Sequence, residues 1–350
     1  MGLHWSDWPE DVLNTLRAGC VIPASPLALT AEREFNPQRQ TALARYYIDA
    51  GAGGIAIGVH TTQFEIRDVG LYEPVLTTAA EAIESWAKNP IIRVAGLVGK
   101  TEQAKSEAEI ARGLGYHAGL LSLAAFKGAG EADIIAHCQA IAEEMPLIGF
   151  YLQPSVGGVL LSADFWRRFV EIDNVVAIKM APFNRYHTLD VLRGVALAKA
   201  EDRISLYTGN DDNIVMDLIT PYEIMRGDEK VTLRFAGGLL GHWSVWVKGA
   251  VEILQQCKEE SLSDELLVLN GQVTDCNAAF FDVANNFKGC IAGVHEVLRR
   301  QGLLEGIWCL NEKETLSPGQ LEEIDRVYQD YPELNDDEFV AENLDRWLSA

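Results

Sequence analysis

Lys179 closes the apolar run Asn174-Val175-Val176-Ala177-Ile178-Lys179. An ammonium at the end of such a run costs several kcal/mol (an order of magnitude, about 3 or more) to bury unless it is paired or loses its proton. Desolvation lowers the lysine pKa, which is what an amine needs in order to attack a ketone. The competing reading is a lysine that snorkels to the surface at a strand end, and position alone leaves the two open. Tyr151 closes the preceding apolar run, Pro146-Leu147-Ile148-Gly149-Phe150-Tyr151. Taken alone it reads as a core tyrosine with its hydroxyl at the rim.

Elements must position these groups. Short runs rich in Val, Ile and Leu alternate with longer stretches of helical periodicity, the pattern of repeated βα units around a buried parallel sheet. Eight strands are expected at Gly19–Ile22, Gly54–Gly58, Ile91–Leu97, Ala118–Leu123, Leu147–Tyr151, Val175–Lys179, Ile204–Thr208 and Leu233–Ala236. That count fits a (β/α)8 TIM barrel, in which reactive groups gather at the C-terminal strand ends. Helix starts are expected at Asn36-Pro37, at a Thr78/Glu81 capping box, at Ser162 and at Ser317-Pro318-Gly319-Gln320. A helix over 264–300 is expected to break at Gly271 and Gly289. The reading is a barrel with an N-terminal helix over 1–255 and a helical extension over 256–350.

Composition narrows the function classes. The 350 residues are 48% hydrophobic and 23% charged, enough for a sizeable core, and the net charge of −22 repels nucleic acid and anionic membrane surfaces. Acidic residues thicken after Glu322 as a solvated helical face. Six cysteines without CxxC spacing read as buried free thiols in a reducing cytosol, and no signal peptide, membrane span or metal-ligand cluster is visible. Met1-Gly2-Leu3-His4-Trp5-Ser6 fits a myristoylation pattern that its acidic surroundings disfavour. Gly99-Lys100-Thr101 lacks the earlier glycine of a P-loop.

Tyr151-Leu152-Gln153-Pro154 followed by Ile178-Lys179 at the next strand end resembles the dihydrodipicolinate synthase and N-acetylneuraminate lyase family of class I Schiff-base lyases. Leu161-Ser162 and Thr208-Gly209-Asn210-Asp211-Asp212 extend the likeness. The resemblance implies a (β/α)8 barrel with C-terminal helices, assembled as a homo-dimer or homo-tetramer. It implies that Lys179 forms an imine with pyruvate or another 2-oxo acid, that Tyr151 shuttles protons, and that no metal or separate cofactor is needed. Gly209 is implied in substrate binding.

The chain also departs from the family pattern. The family motif Gly-Thr-Thr-Gly-Glu falls without gaps on Val59-His60-Thr61-Thr62-Gln63, which puts His60 in place of one threonine; a slip of one residue restores Thr61-Thr62 as the pair. A family tyrosine becomes Phe126, and a carboxylate-binding arginine becomes Val156. Both changes argue against an authentic dihydrodipicolinate synthase and toward a less polar second substrate, with Trp243 and Trp246 either contributing or packing on the C-terminal helices. Two further readings are a catalytically impaired 2-oxo acid binding or regulatory protein, and a metal- or phosphate-dependent barrel enzyme.

Overall fold

The computed structural model describes residues 2–259 and 262–349. Among these residues, ten strands and thirteen α-helices follow one another. The strands are β1 (Val21–Pro23), β2 (Gly54–Ile57), β3 (Ile92–Leu97), β4 (Ala118–Leu121), β5 (Leu147–Leu152), β6 (Val175–Ala181), β7 (Ser205–Thr208), β8 (Tyr222–Arg226), β9 (Glu229–Leu233) and β10 (Gly237–Leu240). The helices are α1 (Glu10–Ala18), α2 (Pro37–Ala50), α3 (Tyr72–Trp86), α4 (Thr101–Gly113), α5 (Glu131–Ala142), α6 (Ala163–Val170) and α7 (Arg185–Leu197), then α8 (Ile214–Ile219), α9 (Val247–Glu259), α10 (Asp264–Phe280), α11 (Cys290–Arg300), α12 (Gln320–Asp330) and α13 (Asp337–Leu348). All of these strands except the β8–β9 hairpin belong to one eight-stranded sheet. The fold is a (β/α)8 TIM barrel with C-terminal helices, as the alternation of runs predicts.

Two compact units divide the chain: Met1–Cys20 with Ile92–Leu239, and Val21–Ile91 with Leu240–Ala350. In the first, parallel ladders run in the order β10-β7-β6-β5-β4-β3. Every residue of β6 is buried, which is why it reads as an apolar run interrupted only by Lys179. In the second, Ala24 bridges Ala56 in parallel and joins the end of β1 to β2.

The eighth barrel strand is Gly237–Leu240 instead of Leu233–Ala236, of which only Leu233 lies in a strand, at the end of β9. Residues Glu229–Leu233 pair instead antiparallel with Tyr222–Arg226. Their burial alternates, with Glu229, Lys230 and Thr232 exposed and Val231 and Leu233 buried, as suits a hairpin with one wet face. Gly237 reads as a turn but is a strand residue, because a Cβ there would run into the Cys20 backbone.

Helix starts fall partly as expected. Asn36 Oδ1 accepts from Arg39 N at 3.1 Å ahead of Pro37, and Ser162 Oγ accepts from Phe165 N at 3.1 Å. Thr78 is no cap: α3 already begins at Tyr72, and the Thr78 hydroxyl donates to Pro74 O within it. Gly271 lies inside an unbroken α10, whereas the break falls at residues 281–289, where Asp282, Asn286 and Phe287 adopt positive φ. At α12, Gln320 Oε1 reaches back to Ser317 N at 3.0 Å, but Ser317 Oγ turns to Asp282 and Gly319 takes the cap position.

Candidate active site

Lys179 is 7% exposed near the end of β6, and its neighbours in the ladder are Phe150 on β5 and Tyr207 on β7. Direct partners in a parallel ladder project to the same face, so these three side chains share one face of the sheet. Lys179 Nζ stands 4.6 Å from the centroid of the Phe150 ring, a cation–π contact that offsets part of the ammonium's lost hydration, by about 2 kcal/mol at a dry site. Beyond it Gly209 closes on the lysine stem: a Cβ at that position would lie 2.7 Å from Lys179 Cε and 2.9 Å from Cγ. Glycine is therefore required there by close approach.

Burial lowers the Lys179 pKa to about 8, and the Asp211 carboxylate pulls the other way. Near neutral pH that leaves roughly a few hundred times more free amine than an unperturbed lysine would offer. The snorkelling alternative does not describe this lysine.

Tyr151 requires a correction. Its ladder partner is Met180, one residue past Lys179, so the ring projects to the opposite face. There it packs 5.1 Å from Trp166 of α6 and 5.9 Å from His187 of α7. Its hydroxyl donates to Leu161 O at 3.2 Å and accepts from Leu161 N at 3.3 Å. Burial raises its pKa further. The expected proton shuttle is thus a fully buried tyrosine that anchors the loop into α6. The same face of β5 carries Gly149, whose missing Cβ makes room for the Phe169 and Trp166 rings.

The threonine pair belongs to the second unit. Thr61 Oγ1 donates to Ala24 O at 2.7 Å; Thr62 Oγ1 donates to Ser25 O at 2.7 Å and accepts from Gly58 N at 2.9 Å and Val59 N at 3.2 Å. Gln63 carries φ 67°, in the left-handed region, where the family motif places its second glycine. That match favours the slipped alignment, with Thr61-Thr62 as the pair and His60 ahead of it. The His60 ring lies 5.8 Å from Phe64.

Phe126 packs its ring 4.2 Å from His137 of α5, with Lys100 Nζ 4.4 Å from its centroid. Val156 is half-buried in the one-turn helix Pro154–Val156. Trp246 packs edge-on against Phe280 of α10 and Tyr328 of α12 and so serves the packing of the C-terminal helices, and Trp243 is fully buried. Sequence reasoning missed Phe150, although it stands directly before Tyr151. The small Gly149 against bulky helix residues was the available sign of which face looks outward.

Five of the six thiols are buried and none is in a disulfide. Among the described residues no cluster of His, Cys, Asp or Glu could hold a metal ion, and no helix is long and apolar enough to cross a membrane.

A barrel whose sixth strand ends in a desolvated amine is the class that fold and site define. The profile of the dihydrodipicolinate synthetase family matches residues 19–221, more than half of the chain. The chain belongs to that family. Among solved structures it is similar to dihydrodipicolinate synthase from Oceanobacillus iheyensis, with 16% identity, 92% of this chain and 100% of that chain covered and a TM-score of 0.74. It is also similar to dihydrodipicolinate synthase from Acinetobacter baumannii complexed with pyruvate (20% identity, 90% and 99% covered, TM-score 0.73). N-acetylneuraminate lyase from Fusobacterium nucleatum aligns with 15% identity, 91% and 99% coverage and a TM-score of 0.71. At these identities the structures speak for the fold. Comparison with curated proteins finds no match.

Proposed function

We propose that the protein is a class I lyase, an aldolase or dehydratase, that forms a Schiff base between Lys179 and pyruvate or another small 2-oxo acid. The observation that carries this reading is the Lys179 amine itself, held among apolar atoms with its pKa lowered to about 8. The neutral amine attacks the C2 carbonyl, the carbinolamine loses water, and the protonated imine withdraws electrons from the neighbouring carbon. The bond to that carbon then breaks or forms through the enamine. Proton transfer is not assigned to Tyr151, whose hydroxyl is spent on Leu161.

Borohydride in the presence of pyruvate tests the proposal. A covalent adduct on the Lys179 peptide is expected, and its absence across a broad panel of 2-oxo acids would overturn the reading. Because only the free amine attacks, the trapping rate should rise with pH through about 8 and level off above it, well below the range of an ordinary lysine.

The outward orientation of Tyr151 favours a second reading, a protein that binds the 2-oxo acid covalently without turning it over. Adduct formation with no product released from any aldehyde or hydroxy-acid partner would select it.

A further inference from the structure

Thr208 and Asn210, the residues on either side of Gly209, hang from one carboxylate. Asp217 of α8 is fully buried. Its Oδ2 accepts from Thr208 Oγ1 and from Asn210 Nδ2, each at 2.8 Å. Its Oδ1 accepts from Arg185 at 3.0 Å, from Asn213 Nδ2 at 3.0 Å and from Tyr222 OH at 3.2 Å. A carboxylate offers about four lone-pair sites, so this donor set saturates it and leaves nothing for a substrate. Asn210 extends the connection, because its Oδ1 accepts from Phe183 N at 3.1 Å in the segment after β6. The backbone is thereby fixed before and after Gly209, the residue packed on the lysine stem, and immediately ahead of Asp211, the carboxylate that acts on the lysine charge.

We propose that Asp217 is a positioning residue for Lys179: it locks the Thr208–Asp211 turn, so that Gly209 confines the lysine stem and Asp211 keeps a fixed place relative to Nζ. This rests on the reading of Lys179 as the reactive amine. Asp211 after β7 is the carboxylate that acts on Nζ, the Phe150 ring on β5 stands 4.6 Å from it, and Tyr207 on β7 shares the face but turns its hydroxyl to Leu16 O, so Asp211 supplies the negative charge through which a loosened turn would register.

Competitive labelling of amines in the full chain with a small acylating reagent across pH, read by mass on the Lys179 peptide, reports the amine titration without any 2-oxo acid. Asp211→Asn removes the pull that raises the Lys179 pKa, and its labelling midpoint should fall by about one unit. Asp217→Asn should move the midpoint in the same direction by roughly half as much, and should add nothing in the Asp211→Asn background. Tyr222→Phe deletes one bond to Oδ1 while keeping the ring that packs 5.9 Å from Phe235, so it should give a smaller shift of the same sign and serves if Asp217→Asn does not fold. A wild-type midpoint in a folded Asp217→Asn variant, an upward shift, an unchanged shift in the Asp211→Asn background, or no shift in Tyr222→Phe would each overturn the proposal. Borohydride trapping run in parallel separates the two claims. Shifts without any trapped 2-oxo acid in the wild type sink the Schiff-base reading alone, and trapping without shifts sinks the positioning role alone.

Discussion

At the end of β6 a charged group is held among apolar atoms, with an aromatic face at 4.6 Å and a glycine against its stem. At the turn after β2 two neutral hydroxyls are held the opposite way, by three short donations and acceptances to backbone groups around Thr62 and one donation from Thr61 to Ala24 O. Burial of the lysine costs stability and favours its neutral amine. The threonine hydroxyls are engaged in fixing a turn. Residue type is therefore a poor guide to which strand end does chemistry, and the supply of unspent hydrogen-bonding capacity is a better one.

Substitutions can separate the two ends. Replacing Lys179 with Met should abolish trapping and lower any lyase activity by at least about a thousandfold, while urea denaturation shows equal or greater stability, since an apolar side chain replaces a desolvated ammonium. A large loss of stability would mean that the lysine is structural. Gly209→Ala should come next: its Cβ would press on Lys179 Cε and on Ala181 Cβ, and trapping by the folded protein should fall about a hundredfold, with a lowered melting temperature. Thr62→Val should invert the pattern. It removes the partner of Gly58 N and Val59 N and one of the donors to Ser25 O in a buried turn and should cost about 2–3 kcal/mol in urea denaturation, with trapping by the folded fraction little changed. Tyr151→Phe should have the smallest effect, about 1 kcal/mol of stability and less than threefold in trapping. A hundredfold loss of trapping there would restore the tyrosine to the reacting face and contradict the ladder register.

Much of the fold was legible in the residues. The barrel follows from the alternation of fully buried runs with helical stretches, and Lys179 from a charge at the end of such a run. The face of Tyr151 was not legible, because the face a given residue takes is set by how the strand packs on its helices, here by Trp166 and Phe169 filling the space over Gly149. The eighth strand was misplaced for a related reason. Leu233 to Ala236 carries bulkier side chains than the glycine pair that follows it, yet Gly237 and Gly238 form the ladder to Tyr207 and Thr208, since the backbone approach at Cys20 admits no side chain. Asp217 gave no signal at all. A lone acid in Ile-Val-Met-Asp-Leu-Ile becomes a hub only when Arg185, distant in sequence, and Tyr222, just past the helix, fold onto it.

The second unit is assembled from two stretches separated by the whole of residues 92–239. Its internal ties need both: Tyr47 OH donates to Ser244 O, Ser244 Oγ donates to Ala24 O, and Tyr46 OH donates to Asp336. During synthesis the segment that carries Thr61 and Thr62 emerges long before Ser244 or Asp336 exists, whereas nearly all of the stretch that carries Lys179 is contiguous. Closing so long a span is entropically slow, so the amine's surroundings should acquire protection from hydrogen exchange first, and the β1–β2 segment should be the last to settle and the most exposed to a chaperone while it waits.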